Sequence, residues 1–389
     1  MKYNICAAQS GSPTAAVNSS LAGIFRCAAG CPGTDGIYGA VNGIEGLIND
    51  ELADLRKIIT SEHDLKLLGN TPSTVLGSCR YKLPDKNRDE NAYIKIINTL
   101  EKHEIKAFFY IGGSDSMDTA MKLDDYCKAV GKDIKIIGIP KSVDNNIAVT
   151  DHTPGFGSAA KYVAAALQEI IRDSRVYSIQ SITIAEIMGF ETGWLAASSC
   201  VLHSQGEPAP HLIYLPESDF SEEKFICDIS DAIRKYRAVT VAVSEGTAGG
   251  KYPGGIAKHL EKIAADNFGC KVRSVELNVM QRCSAHLASL TDLREAEQIG
   301  AEAVKAAADG ESGKMMIFRR LSSEPYRCSV ESVPIELCAN KGKPFPKDWI
   351  NHEGNNITAD AYNYFLPLIQ GEPEIEYRMG IPVHFRINQ

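Results

Sequence analysis

Residues 134–146 read IKIIGIPKSVDNN, an apolar run that breaks into GIPKSVDNN from Gly138 to Asn146. A short continuous apolar run closed by a Pro-containing turn predicts a strand buried on both faces, as in a parallel sheet. The first charged residues after it are Lys141 and Asp144. Open α/β sheets bind ligands at the carboxyl ends of their strands. A cation and a carboxylate at that point suit a reaction in which one steadies negative charge and the other removes a proton. The same letters also fit a plain turn, with Pro140 stopping the strand and Asp144 capping the next element.

Working outward, strand-like and helix-like segments alternate along most of the chain. Strands are predicted at Tyr3–Ala8, Lys106–Ile111, Ile134–Ile139, Ile182–Ile187, His211–Leu215, Val239–Val243 and Met315–Arg319. Helices are predicted from about Thr14, over Asn91–His103, from about Met117, and over Ser158–Arg172, Gly193–Leu202 and Leu293–Ala308. In the second of these, Ile94, Ile97 and Leu100 share a face. Regular alternation predicts an α/β fold with a parallel sheet covered on both faces, and the length fits two such doubly wound, Rossmann-like halves. From about Ala339 the chain holds several Pro, clustered Asn and little periodicity. It reads as an irregular C-terminal extension packed on the body.

Composition sets outer limits. The chain has 389 residues, 44% hydrophobic, with a formal net charge of -8. That length buries a large core and predicts more than one domain. The negative balance argues against nucleic-acid partners. An anionic substrate would need a local cluster of Arg and Lys. Eleven scattered cysteines, an odd number without a CxxC pair, predict free thiols in a reducing compartment. No cleavable signal precedes YNICAA and no apolar run reaches a membrane span, so the expected location is cytoplasmic, with no membrane partner.

Several turns could carry chemistry. Gly11, in QSGSPTAAVNSSLAG, follows the first strand, where a Gly turn can point backbone N–H groups at an anion or serve sterics alone. GGSDS, Gly112 to Ser116, allows close backbone approach at Gly113 and offers oxygens from Ser114, Asp115 and Ser116. Ser114 or Asp115 could equally cap the following helix. Arg80 lies in GSCRYK after a strand-like run, Glu245 closes VTVAVSEGT, and Arg273 and Arg282 flank SVELNVMQ. No GxGxxG follows the first strand, which argues against a dinucleotide-binding dehydrogenase.

The joint pattern resembles the phosphofructokinase family over roughly residues 3 to 290. SGSPTAAVNSSLAG is similar to its first phosphate-binding turn, GSCR to its segment with a bridging Arg, and GGSDS to its GGDGS or GGDDS loop. GIPKSVDNNI is similar to its catalytic loop with PKTIDND, and DHTPGFGSA to its next helix start. IMGFETGWLA, LPE, SEGT and MQRC complete the order. The resemblance implies Asp144 as the general base on a sugar 1-hydroxyl, Lys141 as the charge stabiliser on the transferred phosphoryl group, and Ser142 as a hydrogen-bonding partner. It implies Gly11, Arg80, Gly113, Ser114, Asp115 and Ser116 on the donor. Met188, Gly189, Glu245, Arg273 and Arg282 would line the sugar-phosphate pocket. Asp115 together with Lys141 resembles the pyrophosphate-dependent branch, where ATP-using members carry Gly at both positions. The implied domains are 1–155 with 281–335 for the phosphoryl donor, 156–280 for the sugar phosphate, and 336–389 as the extension, with the active site in the cleft. A homo-oligomer, dimer or tetramer, is implied as well.

The chain departs from the family at defined letters. Ser114 and Asn146 stand where the family has two carboxylates that hold magnesium, leaving Asp115 or Asp144 as candidate ligands, with substrate phosphates carrying the rest of the coordination. Phe190 replaces the Arg of MGR, Ser181 stands where a neighbouring subunit's Arg enters, and Val279 and Asn278 precede the QR pair differently. These changes keep two alternatives open: the same fold acting on another acceptor, or a catalytically degenerate homologue that binds a ligand and regulates.

Overall fold

The computed structural model describes residues 3–252 and 254–387. In chain order, β1 is Tyr3–Gln9, β2 Thr34–Ala40, β3 Leu52–Asp54, β4 Ile105–Gly112, β5 Lys135–Pro140, β6 Ser181–Ile187, β7 Leu212–Tyr214, β8 Ala238–Ser244, β9 Lys271–Glu276, β10 Lys314–Ser323 and β11 Tyr326–Pro334. The larger sheet has the order β11-β10-β5-β4-β1-β2-β3 and the smaller one β7-β8-β6-β9. Within these two sheets all pairings are parallel except β2 with β3 and β10 with β11, at the edges, and a separate two-stranded antiparallel ribbon joins Tyr377–Arg378 to Ile381–Pro382. The fold is therefore mixed α/β with mainly parallel sheets.

The central strands are apolar for a packing reason. Seven of the eight residues of β4 are buried, as are all seven of β8. Helices cover both faces, so neither face needs polar letters. Ile96, Leu100, Phe108 and Leu123 pack on one side of the larger sheet, and Leu21, Ile24, Phe109 and Ile299 on the other.

Topology places the site. From β1 the chain turns to β2 on one side, then returns to β4 on the other, so the strand order reverses between β1 and β4. In the smaller sheet β6 is flanked by β8 and β9, with β7 beyond β8, so a second reversal lies at β6. Reversals leave crevices at the carboxyl ends of strands. The ends of β1, β4 and β5 from one sheet and of β6 and β8 from the other line a single cleft, through Ser10, Gly113, Lys141, Phe190 and Glu245.

Some local expectations need correction. The helix expected over Gly193–Leu202 is a four-residue α-turn, Trp194–Ala197, running into a 3-10 segment at Ser198–Gln205. Ser198 and Ser199 bond back to the carbonyls of Leu195 and Ala196, competing with the regular helix ladder. The strand-like run before Arg80 forms no strand. Its backbone serves the site turn instead, with Gly11 N donating to Cys79 O at 3.1 Å. The segment from Ile335 onward contains 3-10 turns at Ile335–Leu337, Lys347–Trp349 and Ala359–Ala361 and a short helix at Tyr362–Leu368. It buries Phe345, Tyr364, Phe365 and Leu368 against Phe156 and Trp194. No helix among the described residues is long and apolar enough to cross a membrane, and all eleven cysteines are free.

Candidate active site

The cleft encloses about 860 Å³. Its deepest cation is Lys141, 2% exposed. The turn after β5 brings it there, as Lys141 N donates to Gly112 O at 2.9 Å and locks that turn to the end of β4. The Lys141 ammonium donates to the carbonyl of Ser12. Gly11 sits beside it in the left-handed region, φ +72°, where a Cβ would be strained and would lie 3.5 Å from Lys141 Nζ. Burial pushes Lys141 down to about 7, helped by Arg282, while the nearby Asp144 carboxylate acts in the opposite direction. An anion bound here would restore the favourable charge balance that burial removes.

Asp144 is the counterpart. Its backbone N donates to Ser142 Oγ at 3.1 Å, and Ser142 Oγ donates to Asn146 Oδ1 at 2.9 Å. Thr192 Oγ1 donates to the Asp144 carbonyl at 3.2 Å. The carboxylate itself is less engaged: its Oδ1 is buried without a hydrogen-bond partner. Burial and the repulsion of Glu245 and Glu191 push Asp144 up to about 6, against the pull of Lys141 and Arg282. A desolvated carboxylate with a free oxygen and a raised pKa has the properties of a general base.

One wall of the cleft is built on glycine and a helix start. Gly112 lets two serines meet: Ser10 Oγ and Ser116 Oγ are 2.6 Å apart, and a Cβ on Gly112 would come within 2.1 Å of Ser116 Oγ. The helix Ser114–Ala129 begins one turn earlier than expected. Its N-cap is Gly113 without a side-chain cap bond, so neither Ser114 nor Asp115 caps it. Ser116 N donates to Gly113 O at 3.0 Å, which leaves the N–H groups of Ser114 and Asp115 for an anion in the cleft that these residues line. Asp115 is exposed and paired with Lys82 at 3.0 Å. Arg80, also exposed, lies on the same wall.

On the opposite side the ends of β6 and β8 are tied together. Glu245 N donates to Ile187 O at 2.9 Å and Gly189 N donates to Glu245 Oε1 at 3.1 Å. Met188 N donates to Gln281 Oε1 at 3.2 Å. Met188 and Gly189 form this strand end, and Phe190, 60% exposed, reaches the cleft wall in their place. Arg282 acts electrostatically on both Lys141 and Asp144.

Arg273 is the expected pocket residue that the structure places elsewhere. It lies on β9, an edge strand, where its guanidinium donates to Asp173 Oδ2 at 2.7 Å and to Thr183 Oγ1 at 3.2 Å. It shares a shallow depression with Ser181, Tyr177 and Lys271, outside the main cleft of its own chain. Sequence reasoning also missed residues that do line the cleft: Ser12, Tyr81, Lys82, Glu191, and Asn340, Lys341 and Gly342 of the C-terminal segment. Lys82 had a local signal, two positions after Arg80. Lys341 had none, because only tertiary packing brings the extension to the cleft.

A cleft between two mainly parallel sheets brings a buried lysine and glycine turns to face a desolvated carboxylate, an arrangement suited to holding an anion beside a proton acceptor. Comparison with known proteins supplies the family. The family model described as "Phosphofructokinase" matches residues 4–307. The chain is 34% identical to the pyrophosphate–fructose 6-phosphate 1-phosphotransferase of Halomonas elongata, covering 98% of this chain and 95% of that one. It is 30% identical to the sulfofructose kinase of Alkalicoccus urumqiensis, covering 94% and 95%. The solved pyrophosphate-dependent phosphofructokinase of Nitrosospira multiformis superposes with a TM-score of 0.91 at 33% identity, covering 98% of this chain and 96% of that one. This chain belongs to the phosphofructokinase family.

Proposed function

We propose that the protein transfers a phosphoryl group from pyrophosphate to the 1-hydroxyl of fructose 6-phosphate or a related sugar phosphate. The observation that carries this is the pairing of buried Lys141, beside the Gly11 turn, with Asp144, whose Oδ1 has no partner. In the reaction, Asp144 accepts the proton of the acceptor hydroxyl. The oxygen attacks the terminal phosphorus, the bridging P–O bond breaks, and orthophosphate leaves. Arg80, Lys82, Lys141 and Lys341 steady the phosphate charge, supported by the uncapped helix start after Gly113. Ser142 holds the turn that carries Asp144. Glu245 ties Gly189 in place on the acceptor side, and Arg282 supplies the nearby positive charge.

Asp115 with Lys141 supports pyrophosphate over ATP. A carboxylate at Asp115 repels further phosphate charge, and a compact ammonium suits a small diphosphate. Magnesium fits this cleft as a companion of the donor. It would be held by one or two carboxylates together with the donor phosphates, and Asp115 would take part once released from Lys82. When bound it would neutralise diphosphate charge. The free thiols support a reducing, cytoplasmic location. The exposed Val176, Tyr177 and Ile179 beside Ser181 and Arg273 support a homo-oligomer meeting at that face.

Incubation with pyrophosphate, magnesium and fructose 6-phosphate, with ATP as control donor, tests the proposal. Fructose 1,6-bisphosphate formed from pyrophosphate is expected. Turnover with ATP but not with pyrophosphate, or no turnover with either donor, overturns it. A second acceptor is favoured by one observation, the exposed Phe190 on the acceptor wall where a charged phosphate ligand would serve better. Higher kcat/KM for a ketose bearing a different C6 group, such as a sulfonate, would establish that reading.

A further inference from the structure

Asp144 Oδ1 is buried with no hydrogen-bond partner, so no bond at that oxygen aims the carboxylate. Its direction is set by the turn. The next residue, Asn145, is fully buried and left-handed at φ +53°, a conformation that Asn tolerates better than most residues. Both ends of the Asn145 amide are held. Its Oδ1 accepts from Lys343 Nζ at 2.9 Å, and its Nδ2 donates to Tyr364 OH at 2.7 Å.

Both partners come from the C-terminal segment, and each is anchored in turn. Lys343 Nζ also donates to Asp151 O at 2.6 Å and Thr150 O at 3.1 Å, so all three ammonium protons are used. The ammonium lies 4.9 Å from the centre of the Trp194 ring, and the Lys343 carbonyl accepts from Trp194 Nε1 at 3.0 Å. Tyr364 OH donates to Asp151 O at 2.6 Å, and the Arg320 guanidinium lies 4.5 Å from its ring centre. Backbone pairing adds to this: Lys343 N donates to Asn146 O at 2.9 Å, beside an antiparallel bridge between Ile147 and Gly342.

We propose that Lys343 and Tyr364 are positioning residues, which clamp Asn145 and thereby hold Asp144 in its reactive orientation. The clamp explains why an otherwise irregular segment packs so closely under the turn after β5. It deepens the phosphotransferase reading of the cleft and rests on it. A left-handed Asn without its two partners relaxes toward commoner conformations, and the residue before it turns with it.

Two arms test the clamp. Tyr364→Phe, Lys343→Met and Asn145→Ala are compared with the unaltered protein by steady-state kinetics and by hydrogen exchange of the 141–148 backbone. Expected is a fall in kcat on the order of 10- to 100-fold for a 1 Å misplacement of the base, with the KM for pyrophosphate changed less than about threefold. Faster exchange confined to 141–148 accompanies it. Tyr364→Phe added to Asn145→Ala should cost nothing further, since both act through one group. Unchanged kcat in the folded single variants overturns the clamp, as does an undiminished effect of Tyr364→Phe without Asn145. If the unaltered protein shows no turnover at all, the functional reading fails. The exchange arm then decides the clamp alone, and unchanged exchange at 141–148 overturns it.

Discussion

Lys141 and Asp144 stand on the same short turn after β5 and are displaced toward one another in titration, the lysine down to about 7 and the aspartate up to about 6. Burial is the first cause for both. In the proposed reaction Asp144 works when ionised and Lys141 when protonated. The rate with saturating acceptor should therefore rise as pH passes about 6 and fall as it passes about 7, giving a narrow bell in kcat/KM for pyrophosphate. A pH–rate series checks this, and a flat profile across that range contradicts it.

Asp144→Asn should separate activity from stability. Loss of the base lowers kcat by about 10²- to 10⁴-fold. The folded carboxyl has a raised pKa, so the charged form destabilises the fold above about pH 6. That cost fades as pH falls toward the unfolded value. The variant should therefore gain roughly 1–3 kcal/mol of stability near pH 8 and nothing near pH 4. Thermal melts at both pH values read the difference.

Lys341 tests whether the C-terminal segment belongs to the donor site. Lys341 is exposed and lines the cleft beside Asn340 and Gly342. Lys341→Ala should raise the KM for pyrophosphate several-fold, by about 0.5–1 kcal/mol for an exposed ion contact, with less effect at high salt. The KM for the acceptor should stay within twofold. Kinetics at two ionic strengths measure both.

The proposed reaction makes Asp115 the gate between donors. Asp115→Gly removes the carboxylate paired with Lys82 at 3.0 Å and opens space at the helix start. Activity with pyrophosphate should fall, and the ratio of ATP to pyrophosphate use should rise at least about tenfold, a shift of about 1.4 kcal/mol. Parallel assays with the two donors give the ratio.

The buried parallel strands were readable because both faces are covered, which leaves β1, β4, β5, β6 and β8 as apolar runs. Less covered or glycine-bearing strands stayed hidden. β9, KVRSVE, is half-exposed, and β2, TDGIYGA, carries two glycines, so neither shows a clean apolar run. Lys141, Asp144, Gly11 and Asp115 were readable because each lies on a short turn at a strand or helix end. Arg273 lies outside the cleft of its own chain because sequence fixes its strand but not the direction of a long side chain, which pairs with Asp173. Lys341, Lys343 and Tyr364 act on the cleft over contacts nearly two hundred residues apart or more, a distance at which local pattern carries no signal.

The most direct test of the account is phosphorus NMR of the protein turning over pyrophosphate, magnesium and a sugar-phosphate acceptor. The account predicts loss of the pyrophosphate signal, matched by equal gains of orthophosphate and of a new sugar 1-phosphate ester, all abolished by Asp144→Asn. Pyrophosphate that stays intact while ATP is consumed, or an Asp144→Asn variant that transfers as fast as the unaltered protein, would contradict it.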